Sequence, residues 1–298
     1  MLYNITFSIP EDKIIHDIPQ KKKLISNLIP GKLETYIYNT EEEYYKEYQE
    51  SLFAITMKKG GWDCMRHYEI IANGCLPYFI DIENCPTNTM TLLPKDIILE
   101  CNTLYEKISS KTETEQTQYL QNNVNEYQIL IQKILTYIKE NLTTKEIAKY
   151  ILDKTNHTNK TKILYLSGDT SPDYLRCLTL HGFKTIYGSN CHDSPKVPHI
   201  YKSTICTSNL YGKGITYTNT TASNLHDDNK DTTIEEDIKN KYYDIIIYGS
   251  YHRGMPYYDI ISKIYNPNEI ILLCGEDLHD CNYNNYISKG HHVFVREL

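Results

Sequence analysis

The chain has 298 residues, of which 40% are hydrophobic and 23% charged, with a formal net charge of −7. That length has room for two domains of about 150 residues each. The negative balance argues against a nucleic-acid-binding surface, and no apolar run reaches the ~18 residues of a membrane span. Met1 to Thr6 offers neither a basic segment nor a long apolar run, so no signal peptide and a cytoplasmic location are expected. The nine cysteines are scattered singly, and the closest pair, Cys274 and Cys281, lacks metal-site spacing. They are expected to be reduced thiols. The excess of Tyr (28), with abundant Ile, Lys and Asn, fits the AT-rich genome of a virus, protist or low-GC bacterium.

In chain order, Asn4 to Pro10 and Glu34 to Tyr38 read as strands around a polar stretch, Gln20 to Lys23. Glu41 to Gln49 reads as an amphipathic, Tyr-rich helix, and Leu52 to Thr56 as an apolar strand. Gly60-Gly61 then permits a tight turn and close backbone approach to a ligand. A helix of about three turns follows, ended by Asn73-Gly74 in the manner of a left-handed C-cap, and Leu76 to Ile82 is the next strand. Helices are expected at 96–108, 127–138 and 143–152, the last opening with a capping-box pattern at Thr143 to Glu146. Ser109 to Gln118 reads as a loop or hinge and Asn156 to Thr161 as a linker.

The second half starts with a buried strand, Lys162 to Leu166. A helix from Pro172 to His181 closed by Gly182, strands at 184–187, 242–248 and 269–274, and a polar, mobile loop at 219–233 complete the reading. The alternation of strands and helices favours parallel sheets. The expected fold class is α/β, with two Rossmann-like domains facing a cleft. Their boundaries are 1–108, a helical linker at 109–160, and 161–298.

The helix after Gly60-Gly61 carries a polar stripe. Arg66, Glu69 and Asn73 stand at i, i+3 and i+7, with Met65, Tyr68, Ile71 and Ala72 on the packing side. A guanidinium fork suits phosphate oxygens, and a carboxylate can accept both hydroxyls of a sugar diol. The plain alternative is an ordinary ion pair on a solvated face. The order strand, glycine loop, Arg66-x-Tyr68-Glu69, Gly74-Cys75, Pro77 and apolar strand resembles the donor-binding segment of exostosin-related GT-B glycosyltransferases. The resemblance covers residues 40 to 105. It implies that Glu69 holds the ribose of a nucleotide-sugar and Arg66 its diphosphate. Lys58, Lys59 and the helix N-terminus would add positive charge for the leaving diphosphate, and Gly60 and Gly61 would line the donor site. In that family the donor segment lies in the second domain, whereas here it lies in the first.

The resemblance implies transfer of a sugar from a nucleotide-sugar donor to a hydroxyl acceptor on a glycan, protein or lipid. This chemistry can dispense with a metal or other cofactor, in keeping with the lack of an Asp-x-Asp motif. A base must deprotonate the acceptor. Three strand-end turns of the second half supply candidates: Ser167-Gly168-Asp169, Gly249 to Gly254, and Gly275 to Asp280. In open α/β sheets ligands bind at such carboxyl ends. His252 is the first choice because imidazole titrates near neutrality, followed by Asp169 and Glu276. Two other readings remain open: a Rossmann-type methyltransferase using the Ser167-Gly168-Asp169 turn, and a nucleotide- or sugar-binding protein without catalysis.

Overall fold

The computed structural model describes residues 1–121, 125–202, 209–277 and 281–298. Two parallel sheets organise the chain. The first element, β1 (Leu2–Asn4), is followed by β2 (Lys23–Ile25), α1 (Glu41–Gln49), β3 (Ser51–Thr56), α2 (Met65–Ala72) and β4 (Leu76–Phe79). Four helices come next: α3 (Lys95–Ser109), α4 (Glu113–Gln121), α5 (Asn125–Asn141) and α6 (Thr144–Thr155). The second half contains β5 (Ile163–Leu166), α7 (Tyr174–Tyr187), β6 (Cys191–Ser194), α8 (Ile234–Lys239) and β7 (Ile245–Tyr248). It ends with α9 (Tyr258–Ile264), β8 (Ile270–Cys274), α10 (Tyr283–Ser288) and β9 (His292–Val295).

The small sheet has the order β2-β3-β4 and the large one β1-β9-β8-β7-β5-β6, with every pairing parallel. The apolar runs Ile163–Leu166, Ile245–Tyr248 and Ile270–Cys274 are buried on both faces, as parallel strands between helices must be. Their side chains alternate. Ile163, Tyr165, Ile245, Ile247, Ile271 and Leu273 join the main core. Leu164, Leu166, Ile246, Tyr248, Ile270 and Leu272 pack on the other face with Ile234, Ile238 and Ile261 of α8 and α9. The main core also holds Phe53, Leu76 and Phe79 of the small sheet, so one apolar interior serves both sheets.

Several expectations change. Only Leu2–Asn4 of the first segment is a strand, and it pairs with β9 rather than with the small sheet. The edge of β9 is open to it, and Tyr3 stacks on Phe294 with ring centroids 4.7 Å apart. Leu33–Thr35 is a single 3-10 turn, not a strand. The edge strand is instead β2, which starts at the last residue of the polar stretch. It is fastened by buried Glu47, which accepts from Lys23 Nζ (2.7 Å), Ser26 Oγ (3.0 Å), Asn27 N–H (2.6 Å) and Tyr38 OH (2.7 Å).

The segment 109–121 is not a simple hinge. Thr112 and Glu115 cap each other, and α4 starts at Glu113. Beyond it, Ile131, Ile134 and Ile138 of α5 and Ile147 and Ile151 of α6 are core residues, so 109–160 does more than connect. Thr143 caps α6 as expected, accepting from Glu146 N–H at 3.2 Å.

The segment 184–187 is helical, because α7 runs through Gly182 to Tyr187. A side chain at Gly182 would overlap the Thr144 carbonyl of α6, so this glycine serves helix–helix approach rather than a C-cap. Gly188, at φ 57°, ends the helix. The following strand, β6, is polar in sequence and absent from the sequence reading. The stretch 219–233 is not a bare polar loop: it contains two 3-10 turns, and Thr220, Thr221 and His226 are buried. Cys274 and Cys281 form a disulfide rather than reduced thiols, with their Cα atoms 6.5 Å apart at the end of β8. No helix among the described residues is long and apolar enough to cross a membrane.

Candidate functional site

The carboxyl ends of the two sheets converge on one cavity of about 760 Å³. From the small sheet come the segment after β2 (Gly31, Leu33, Tyr36, Tyr38) and the segment after β3 (Lys59, Gly60, Gly61, Asp63, Cys64). Met65, Arg66 and Glu69 of α2 complete that wall. From the large sheet come Asp173 and Tyr174 after β5, Arg253 after β7, and Gly275, Glu276 and Asp277 after β8. The large-sheet order from β6 through β5 and β7 to β9 reverses direction between β5 and β7. That switch point, at the carboxyl ends of its strands, is where open α/β sheets bind ligands.

Local chemistry explains α2. Gly74 has φ 67°, Cys75 N–H donates to Ile70 O (3.1 Å) and Gly74 N–H to Ile71 O (2.9 Å), a Schellman ending. The helix has two turns rather than three. Asn73 is part of this ending: its Nδ2 donates to Glu69 O at 2.9 Å and its Oδ1 accepts from Gln49. It does not line the cavity, so the stripe delivers only Arg66 and Glu69 to it.

The Arg66 guanidinium lies over the Tyr36 ring, 5.9 Å from its centroid. Its Nε and Nη1 are buried without a hydrogen-bond partner. Glu69 is 6% exposed, and its two oxygens accept from Tyr44 OH (2.9 Å) and Thr216 Oγ1 (2.6 Å). Burial raises its carboxyl above the ordinary value, against the pull of Thr216, Tyr44 and Arg66. A carboxylate has about four lone-pair positions, so Glu69 retains acceptor capacity while tying α2 to the loop after residue 209.

Gly60 and Gly61 line the cavity, but neither has a positive φ. A side chain at Gly60 would overlap the Asp277 carboxylate, and one at Gly61 the Glu297 carboxylate. The close approach that requires glycine is therefore to the opposite half of the protein. Lys59 is exposed and lines the cavity; Lys58 is exposed and sits over the Trp62 ring at 5.2 Å, outside the lining.

On the large-sheet wall, Glu276 reaches the cavity and His252 stands behind it. His252 Nε2 lies 2.7 Å from Glu276 Oε1, while its Nδ1 is buried without a partner. Burial lowers the imidazole pKa, opposed by Asp173 and Glu276. Asp169 does not line the cavity and pairs with Arg176, 3.2 Å away. Against burial, donation from Ser171 N–H and Arg176 holds its carboxyl below the ordinary range. Gly168 packs against the Arg253 backbone, so the turn after β5 is closed by protein. Residues 278–280, the end of the third turn, lie outside the described residues.

Sequence reasoning missed Asp63, which lies between Gly60-Gly61 and Arg66. It is 1% exposed, and Phe7 N–H (2.7 Å) and Tyr68 OH (2.9 Å) donate to its carboxylate. Burial pushes its pKa up to about 6, with Arg296, Phe7 and Tyr68 opposing. Arg296 donates to the Asp63 carbonyl, the Glu297 carboxylate, the Asp277 carboxylate and Gly275 O. Glu297 accepts from Trp62 N–H (3.2 Å) and Asp63 N–H (3.0 Å). The position of Asp63 beside Gly60-Gly61 was the available signal for it. No local signal marks Arg296 or Glu297.

No family model, curated protein or solved structure matches the chain.

Proposed function

We propose that the protein is a glycosyltransferase with a GT-B-like arrangement, moving a sugar from a nucleotide-sugar to a hydroxyl acceptor across this cleft. The observation that carries the reading is Arg66: a cavity-lining guanidinium over the Tyr36 ring, with two buried nitrogens that lack a well-formed hydrogen bond. An unsatisfied buried donor costs about 1–3 kcal/mol, more when charged. An anionic ligand removes that cost, and a diphosphate matches the fork. The start of α2, whose N-cap Cys64 lines the cavity and makes no side-chain cap, points the same way. Tyr36, Tyr38 and Tyr211 supply aromatic faces for a base or sugar.

In this reading Arg66 and the α2 N-terminus stabilise the leaving diphosphate, and Glu69 positions the ribose through its remaining lone pairs. Glu276 is the base. It is the sequence-derived candidate that lines the cleft, and His252 holds it from behind. Asp169, engaged with Arg176, is set aside. The test is incubation with UDP- and GDP-sugars, following nucleotide release and transfer to hydroxyl acceptors. Glu276→Gln should lower the transfer rate about 10²–10⁴-fold and leave nucleotide affinity unchanged. Absence of nucleotide binding and of release from any nucleotide-sugar would defeat the reading. Binding without release would leave a nucleotide-binding protein.

A further inference from the structure

A second constellation lies at the carboxyl end of β6, and none of its residues lines the cleft. His226 and Asp193 are buried at its centre. Asp193 Oδ1 accepts from Lys184 Nζ (2.8 Å), Tyr201 OH (2.5 Å) and His226 Nδ1 (3.0 Å). With Nδ1–H committed to Asp193, the other imidazole nitrogen is the atom turned toward Asp228 and Asp231. His226 Nε2 lies 3.1 Å from Asp231 Oδ2 and 3.5 Å from Asp228 Oδ1. The three ligand atoms all lie within 4.8 Å of one another. The other oxygen of Asp231 faces buried His192, whose Nε2 is 3.0 Å away.

We infer that His226, Asp228 and Asp231 form a binding site for a divalent first-row cation such as Zn²⁺ or Mn²⁺. Three features argue for it. First, the donor set of one imidazole and two carboxylates suits such ions. Second, metal–ligand bonds of about 2.0–2.1 Å in a tetrahedron put neighbouring donors about 3.3 Å apart; the two His226 separations bracket that length, and the two carboxylate oxygens lie within 4.8 Å of each other. Third, the ligands already have outer partners, Asp193 on the far nitrogen of His226 and His192 on the far oxygen of Asp231. Metal-binding histidines and carboxylates are oriented in this way. A proton on Nε2 would serve Asp231 and leave Asp228 to Lys196, whereas a cation binds both carboxylates. On the solvent side Lys196 donates to Asp228 at 2.9 Å, and the ion would displace it. The Asp228 side chain is 79% exposed, which gives ions access and leaves coordination positions for water.

The site is independent of the nucleotide-sugar reading and is tested apart from it. The full chain, stripped with chelator, is dialysed against Zn²⁺ or Mn²⁺ and its metal content measured, with affinity from calorimetric titration. One ion per chain is expected. Asp228→Asn removes a ligand at an exposed position, so the fold is retained, and it should weaken binding tenfold or more. His192→Gln should weaken it about 10- to 100-fold through the outer shell, and circular dichroism checks that this variant is folded. No stoichiometric binding by the wild-type chain would overturn the assignment. So would binding as tight in Asp228→Asn as in the wild type, because the ion would then sit elsewhere.

Discussion

Arg66, on the small-sheet wall of the cleft, and Arg296, behind the large-sheet wall, are similar side chains with opposite surroundings. Arg296 is 1% exposed and donates to two carboxylates and two carbonyls while lying 4.4 Å from the Phe7 ring centroid. Arg66 keeps two buried nitrogens without a partner. The first arrangement is architectural: Arg296 holds the end of the chain against the Gly60–Asp63 loop. The second costs stability and is sustained because the rest of α2 packs well around it. A cation bound on all sides has no capacity left for a ligand, and a guanidinium with two unbonded nitrogens in a cavity does.

The comparison can be broken most severely at Arg296. Arg296→Ala leaves Asp277, Glu297 and Asp63 without their common cation. Removing one partner of a buried pair costs about 3–5 kcal/mol. Urea unfolding of this variant should show that loss, and a cost within experimental error would refute the architectural role.

Asp63 sharpens the same side of the comparison through pH. Its folded-state pKa is raised to about 6, above the ~3.9 of an unfolded aspartate. Between these values the folded chain binds more protons than the unfolded one. The stabilisation is therefore fully present below about pH 4 and is lost as pH rises through 6, on the order of 2–3 kcal/mol. Asp63→Asn keeps the shape and should flatten this part of the stability profile. An unchanged slope between pH 4 and 6 would assign the effect to other groups.

Arg66→Ala should behave in the reverse way. Folding stability should change little, because the loss of two buried nitrogens without hydrogen bonds offsets the loss of the guanidinium's attraction to Glu69. Affinity for UDP or GDP, whichever binds, should fall by roughly 1.5–3 kcal/mol, about 10- to 100-fold. Calorimetry and urea unfolding on one preparation separate the two effects. A variant that loses stability and keeps affinity would place Arg66 in the same class as Arg296. The smallest effect is expected at Lys58, which is exposed over Trp62 and outside the cleft. Lys58→Ala should cost no more than about 0.5–1 kcal/mol of stability and leave nucleotide affinity unchanged. A tenfold loss of affinity would return Lys58 to the donor site.

Much of the local structure was legible in residue order. The apolar runs of β3, β5, β7 and β8, the periodicity of α5 and α6, and the Gly74 ending of α2 are signals within a few residues of one another. The Arg66 and Glu69 stripe was legible for the same reason, since a helical turn sets which side chains share a face. Tertiary structure alone decided what those faces meet. Tyr3 joins the large sheet through Phe294, and β2 pairs through Glu47 although its neighbours are polar. Cys281 meets Cys274 at the end of β8 in a disulfide, and Gly182 lies inside α7 where the Thr144 backbone of α6 comes too close for a side chain. The partners of Glu69 and Asp63, Thr216 and Arg296, lie 147 and 233 residues away in sequence. Period and caps are short-range properties of the backbone. Pairing of edge strands and neutralisation of buried charges depend on groups that only the packed chain brings within a few ångströms.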